Sequence, residues 1–429
     1  MTPAPRVSVV VVSHERPAAL RLCLTGLRYL DYPEFEVIVA ADRPGLDAVA
    51  AMGLGGAVKS VHVPDKGISA ARNAGVAQAA GEVVAFIDDD AVPEPTWLRH
   101  LAAPFADPQV AAAGGYVRGR NGISFQWRGR AVDAAARHSP LDLPGRASAL
   151  LVGSAERAIK TEGTNMAFRR ERLAALGGFD PGYTYFLDET DLNMRLARQG
   201  AVTALVPLAQ VHHGFAPSAW RSAARAPRSL YDIGASSALY LRKFAPEGAR
   251  EAAVAALRAE QRARLLRHMV RGTLEPRDVR RLMASLERGL AEGAARPLSA
   301  LAPLSGPAAP FRHFPAHPPA PQRVLAGRVW QARALRRRAA DMASEGQRVT
   351  LFLFGPTALY HRMRFTPGGW WEQRGGLFGR SGRAAPLIAP QRFATRLEAE
   401  RRRLCPVRPL CNEEATCDPA PLHDTGVSL

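Results

Sequence analysis

Three consecutive aspartates, Asp88, Asp89 and Asp90, close the apolar run that begins at Val83, reading VVAFIDDD. Like charges this close repel one another unless something cationic is held between them. Asp88 and Asp90, one residue apart, can chelate a divalent cation and still leave coordination positions for two phosphate oxygens, an arrangement suited to Mg2+ or Mn2+. The chemistry this implies is that of a metal and the phosphates that travel with it. A second acidic pair, Asp188 and Glu189, opens a helical pattern, where acids also serve simply as first-turn stabilisers. A histidine pair, His212 and His213, follows the apolar run that starts at Val202.

The elements that must position these groups are legible in the first half of the chain. Residues 7–12 are almost wholly β-branched, the mark of a strand buried on both faces, and a helix is expected over residues 18–30. Strands follow at residues 36–40, ending at Asp42, and at residues 58–63. A helix over residues 69–80 and the strand at residues 83–87 complete the alternation. Such an order predicts an α/β fold with parallel pairing and right-handed crossovers. Ligands in open sheets of this kind bind outside the carboxyl ends of the strands. Ser13, Glu15, Asp42 and Asp88 to Asp90 all fall there, so separate segments converge on one crevice. Further on, residues 118–146 read as an excursion over the site, residues 163–168 as a short strand and residues 188–200 as a helix.

Charge divides the 429 residues unevenly. Residues 1–215 hold 22 Lys/Arg and 22 Asp/Glu, so the whole net charge of +18 lies in the remainder. Only four of the basic residues are lysines. Residues 249–295 read as Arg-rich helices broken near Pro276, amphipathic enough to lie on an anionic membrane face or to form a solvated bundle. Eight prolines between residues 297 and 321 predict a stiff, extended linker. A basic helix over residues 324–343, a strand at residues 349–354 and a glycine-rich loop with Trp370, Trp371 and Phe378 follow. Cys405, Cys411 and Cys417 lack a CxxC spacing and read as thiols rather than a zinc site. The apolar stretch at residues 349–360 is shorter than the ~20 residues of a membrane span. The start of the chain has no signal-peptide pattern. The expected location is cytoplasmic, with peripheral attachment to the inner face of the plasma membrane as an extension.

Four segments, VSVVVVSHERPAALRLCLTGL, DKGISAARNAGVAQAAGEVVAFIDDDAVPEPTWL, GTNMAFRRERLAALGGFD and DETDLNMRLARQG, resemble the successive signatures of family 2 glycosyltransferases of the GT-A fold. The resemblance covers about residues 6–220. It implies a Rossmann-like, mostly parallel mixed sheet flanked by helices, here followed by a basic, mainly helical C-terminal extension. The activity implied is inverting transfer of a sugar from a nucleotide-diphosphate donor to a glycan, lipid-linked or other hydroxyl acceptor, with Mn2+ or Mg2+, in surface polysaccharide or glycoconjugate synthesis.

Carried over by position, the resemblance places Ser13, Glu15 and Asp42 at the nucleobase and Lys66, Arg72 and Asn73 beside the nucleotide. Asp88 and Asp89 fall near ribose and sugar, Asp90 on the metal with Asp88 beside it, and Gly163 and Thr164 along the donor sugar and acceptor. The family's base is usually the aspartate of a Glu-Asp pair. Here the order is reversed, which puts Glu189 in the base position with Asp188 as the substitute. His212 matches a metal-ligating histidine, with His213 as its fallback. The division expected is a glycosyltransferase domain at residues 1–220, a basic helical region at 221–296, the linker at 297–322 and an accessory region at 323–429.

Two rival classes fit less well. A sugar nucleotidyltransferase would carry a glycine-rich, Arg-containing phosphate loop after the first strand, where this chain has SHERPAAL. A nucleic-acid-binding protein would explain the basic half, but a crevice of carboxylates repels a phosphate backbone, so no specific nucleic acid is expected.

Overall fold

The β-branched run forms the strand Val7–Ser13, which lies between two parallel neighbours, Phe35–Ala41 and Val83–Asp88. The computed structural model describes residues 4–143, 145–216, 220, 222, 224–298, 300–318 and 322–410. Among these, the main sheet runs in the order Ala149–Val152, Val202–His213, Val110–Arg118, Met166–Arg169, Val83–Asp88, Val7–Ser13, Phe35–Ala41, Lys59–His62. The last four strands are parallel, whereas Met166–Arg169 is antiparallel to both its neighbours, giving the mixed GT-A sheet. Register pairs Val12 with Asp88 and Ser13 with Ala41, so the ends of three strands sit side by side.

Alternate residues of these strands feed two cores. Val9, Val11, Val37 and Ile87 meet the helix Pro17–Leu27 through Leu20, Leu24 and Leu27 on one face. Val10, Ile38, Val84 and Phe86 meet Val76, Phe168, Phe179 and Leu192 on the other. Among the elements with no counterpart in the sequence reading are the helix Arg43–Ala51, capped by Asp42, and the strand Val110–Arg118. The centre of that strand, AAAGG, carries little β signal. A Cβ at Gly115 would lie 2.1 Å from the Ala209 carbonyl oxygen, so packing demands the residue that hides the strand.

The helices expected over residues 249–295 appear as Glu247–Val270 and Pro276–Ala295, and a further helix, Tyr231–Phe244, precedes them. Their apolar stripe is consumed internally: Leu265, Leu282, Leu286 and Leu290 pack on Leu230, Ile233 and Ala238. The proline-rich segment is extended but not free-standing. It straps the back of the main sheet, with Ala308, Phe314 and His317 donating backbone hydrogen bonds to Ala77, Phe35 and Arg28. The Lys59 ammonium bonds the Ala309 carbonyl while pairing with buried Glu36 at 2.9 Å.

Beyond the strap the structure corrects the sequence reading. Residues expected to begin a helix at 324 form the strand Gln322–Arg328, and the helix starts only at Ala332. The glycine-rich segment read as a loop is the strand Trp371–Gly376. Together with Arg348–Gly355 and Arg362–Phe365 they make a second, four-stranded sheet. Gly375 is required there because a Cβ would fall 2.2 Å from the His361 ring. Trp371 is core, packed on Phe365 and under Arg408. This unit docks on the main domain through Arg408, whose guanidinium makes a fully buried ion pair with Glu94 at 2.8 Å. Cys411 and Cys417 lie outside the described residues. No helix among the described residues is long and apolar enough to cross a membrane.

Candidate active site

A cavity of about 410 Å³ opens at the carboxyl ends of the parallel strands. Asp88, Asp90 and His213 each offer a ligand atom within 4.8 Å of the others on one of its walls. His213 Nε2 stands 3.3 Å from Asp90 Oδ1, while its Nδ1 faces the Gln126 amide oxygen at 3.1 Å. With Nδ1–H donated to Gln126, a neutral imidazole turns its Nε2 lone pair toward carboxylate oxygens. That contact is favourable only with a proton or a metal ion between them. Two carboxylates and an imidazole are a donor set that suits Mn2+ or Mg2+, and the chain thus has a candidate divalent-metal site at Asp88, Asp90 and His213. Burial works against the charge on Asp90, but a proton shared with His213, the charge of Arg16 and the Ala216 amide hold its carboxyl down to about 2.

His212, the expected ligand, is turned away. Successive strand residues point to opposite faces. His212 Nε2 lies 2.8 Å from Glu94 Oε1 and its ring packs on Trp371, inside the contact with the C-terminal unit. Asp89 is likewise withdrawn from the cavity: it accepts from Ser13 Oγ at 2.7 Å and pairs with Arg16 at 2.6 Å. Burial pushes its carboxyl up to about 7 against the pull of Arg16.

Across the cavity, Asp188 and Glu189 begin the helix Asp188–Arg198. The two residues before them, Phe186 and Leu187, have φ of 74° and 66°, a left-handed turn that is costly for such side chains. It aims the first helical turn at the cavity. Asp188 is sealed by an ion pair with Arg72, which also donates to the Gly163 carbonyl at 3.1 Å and approaches Asp88 at 3.7 Å. Glu189 pairs with buried Lys160 and keeps more of its side chain open, 17% against 3% for Asp188. Burial resists the charge on both acids. Lys160 overcomes it for Glu189, whose carboxyl is held below the usual range, whereas Asp188 is pushed up by burial and by neighbouring Glu189.

The remaining expected residues sort by depth. Ser13, Lys66, Gly163 and Thr164 line the cavity. Asp42 does not: one of its oxygens caps the helix Arg43–Ala51 through the Gly45 amide, and the other accepts from the Glu15 amide at 2.7 Å. Glu15, with φ of 57°, is exposed at the rim, 3.3 Å from Lys66. Asn73 lies behind the wall, bonded to the Phe179 backbone. Sequence reasoning missed Arg16, Lys160 and an aromatic wall of Trp127, Phe186, Phe215 and a stacked pair, Tyr185 and Trp220, 4.4 Å apart and 8° from parallel. Arg16 and Lys160 sit within the quoted segments or just before them. The aromatics lie outside, with no spacing to announce them.

With the fold and site in hand, comparison with known proteins places the chain. Residues 8–171 match the sequence model of glycosyl transferase family 2, and the chain carries a family-2-like glycosyltransferase domain of GT-A fold. It is 30% identical over 214 residues to a pre-mycofactocin glycosyltransferase of Mycobacterium tuberculosis, covering 48% of this chain and 42% of that protein. It is 29% identical over 190 residues to a glucosyl-dolichyl phosphate glucuronosyltransferase of Haloferax volcanii, covering 41% and 56%. The chain therefore spans about half the length of the curated relatives it matches. Among solved structures, it is similar to a mannosyltransferase from Pyrobaculum calidifontis in complex with GDP-Man and Mn2+, at 20% identity over 68% of this chain and 88% of that one, with a TM-score of 0.42.

Proposed function

We propose that this chain is an inverting transferase that moves a sugar from a nucleotide-diphosphate donor to an acceptor hydroxyl. One observation carries the reading. A single cavity has a two-carboxylate, one-imidazole site on one wall and an ionised, partly open carboxylate, Glu189, on the other, with Arg72 between them. The family match over residues 8–171 supports it.

In this reading Ser13, Lys66 and Gly67 face the nucleotide, while Gly163 and Thr164 flank the transferred sugar. A divalent ion on Asp88, Asp90 and His213 would supply positive charge to the departing diphosphate. Glu189 accepts the proton of the acceptor hydroxyl, whose oxygen bonds to the anomeric carbon as the bond to the phosphate oxygen breaks. A single displacement from the opposite face inverts that carbon. Trp127, Phe215 and the Tyr185–Trp220 stack offer flat faces for the acceptor, as aromatic rings do for the apolar side of a sugar.

The setting we propose is surface polysaccharide or glycoconjugate synthesis on the cytoplasmic side of a membrane. The test is a thermal-shift and hydrolysis screen of UDP-, GDP- and dTDP-sugars with Mn2+ or Mg2+, since a ligand that binds the folded state raises its apparent stability. One donor class should stabilise the protein and be hydrolysed slowly, and Asp90→Ala should abolish both effects. Undiminished metal-dependent hydrolysis in Asp90→Ala would overturn the reading.

A further inference from the structure

Two loops at one end of the C-terminal sheet carry a surface that is both apolar and basic. Leu359, Leu387 and Ile388 are 69%, 67% and 65% exposed, and Tyr360 stands beside them. They form one patch: Gly379 pairs with Ile388 across a β-bridge and packs so closely on residue 359 that a Cβ would meet the Leu359 carbonyl oxygen. The Arg380 guanidinium lies 4.9 Å over the Tyr360 ring, and the His361 amide donates to the Arg380 carbonyl. Residues 355–392 contain six arginines and a single acid, Glu372, which is buried and paired with Arg336. Arg362, Arg383 and Arg392 are all exposed.

We infer that this patch seats the protein on the surface of an anionic lipid bilayer, with Leu359, Leu387 and Ile388 entering the headgroup layer and the arginines meeting lipid phosphates. Charge complementarity selects this occupant. Aliphatic tips ringed by arginine, with no exposed acid between them, match an anionic interface. Arginine stems can lie along the apolar tips while their heads stay at the phosphate level. The helices within residues 249–295, the alternative suggested by composition, turn Leu265, Leu282, Leu286 and Leu290 inward and leave only Leu266 and Val270 as exposed large apolar side chains.

The patch is also linked to the active cavity through neighbouring segments. A second hollow of about 350 Å³ is lined by Tyr360, His361, Arg362 and Arg383 together with Asn121 and Ser124. The turn holding Asn121 and Ser124 leads into Phe125–Trp127, whose Gln126 bonds His213 and whose Trp127 lines the active cavity. An acceptor carried in the bilayer would therefore reach the site from this side. That consequence rests on the glycosyltransferase reading, whereas bilayer binding itself does not.

Vesicle flotation of the full chain tests the inference without any sugar transfer, so its failure is separate from failure of the proposed activity. Phosphatidylcholine vesicles containing phosphatidylglycerol should bind the protein, in a salt-sensitive manner, and pure phosphatidylcholine vesicles should not. Leu359→Ser/Leu387→Ser/Ile388→Ser should weaken binding by at least about tenfold, and Arg362→Glu/Arg383→Glu by at least about fivefold per arginine. Arg262→Glu/Arg267→Glu, on the exposed side of Glu247–Val270, should change it by less than about twofold. All these side chains are exposed, and thermal melting confirms that each variant is folded. Equal binding to neutral and anionic vesicles, no loss in the two patch variants, or greater loss in the helix variant would overturn the inference. So would a concentration-dependent dimer that the patch variants dissociate while vesicle binding stays absent.

Discussion

Arg72 and Asp188 meet in a buried ion pair although 116 residues separate them in the sequence. The same guanidinium lies 3.7 Å from Asp88, so one side chain ties the acidic strand end to the acidic helix start. Removing it leaves the buried Asp188 carboxylate without its partner, the costly half of breaking a buried pair. Arg72→Met is expected to lower stability by about 3–5 kcal/mol. Arg72→Lys, which keeps the charge but not the fork, should fall between it and the parent. Urea denaturation reads both, and an unchanged midpoint for Arg72→Met would contradict the bridging role.

The two histidines should separate cleanly. His213→Ala removes an imidazole facing two carboxylates and is expected to weaken Mn2+ binding by at least about tenfold, with a smaller loss for Gln126→Leu, which fixes the ring. His212→Ala should leave Mn2+ affinity as it was and cost about 1–3 kcal/mol of stability, because buried Glu94 loses a hydrogen bond. Calorimetric Mn2+ titration alongside thermal melting checks both, and a reversed pattern would return the ligand role to His212.

Glu189 and Asp188 are adjacent but differently held. Glu189→Gln is expected to cut kcat by about 10²–10⁴-fold with donor binding retained, whereas Asp188→Asn acts mainly through Arg72. Lys160 holds the Glu189 carboxyl low. Without that counter-charge the carboxyl titrates higher, so in Lys160→Met the acid limb of the pH–rate profile should move to higher pH. A limb that stays in place in Lys160→Met would assign the base to another group.

How far the sequence reached follows from what each signal depends on. Val7–Ser13, Phe35–Ala41 and Val83–Asp88 are apolar runs buried on both faces, and local pattern suffices to find them. Val110–Arg118 was hidden because its centre is Ala and Gly, with no room for a side chain at Gly115, and Gln322–Arg328 because its arginines continue the basic pattern of the helix behind it. In the site, Asp88, Asp90 and the Asp188–Glu189 pair were legible from their positions at a strand end and a helix start. The choice of His213 over His212 depended on the phase of a strand whose pairing slips between Val206 and Gln210. Asp42 and Asp89 were marked by type and place, yet their oxygens are taken by backbone amides, Ser13 and Arg16, which no spacing reveals.

Acid should loosen the C-terminal unit in a defined window. Burial resists the charge on Glu400, but Arg403, Arg396, Ser381 and Gln373 hold its carboxyl down to about 2 from an ordinary 4.5. Glu94 is held down to about 2 by Arg408 and His212 against the same opposition. A carboxyl whose folded value is depressed takes up fewer protons folded than unfolded. Its contribution is therefore complete above about pH 4.5 and is lost as pH falls toward 2. Each group accounts for about 3 kcal/mol on that basis. Stability measured by urea denaturation should thus be nearly flat from neutrality to about pH 5 as far as these two groups are concerned, and fall steeply below it. Glu400→Gln should begin lower at neutral pH and descend less steeply between 4.5 and 2, since the missing carboxylate no longer has a proton to take up. A slope below pH 4.5 as steep as the parent's would show that Glu400 does not carry its part of the acid response.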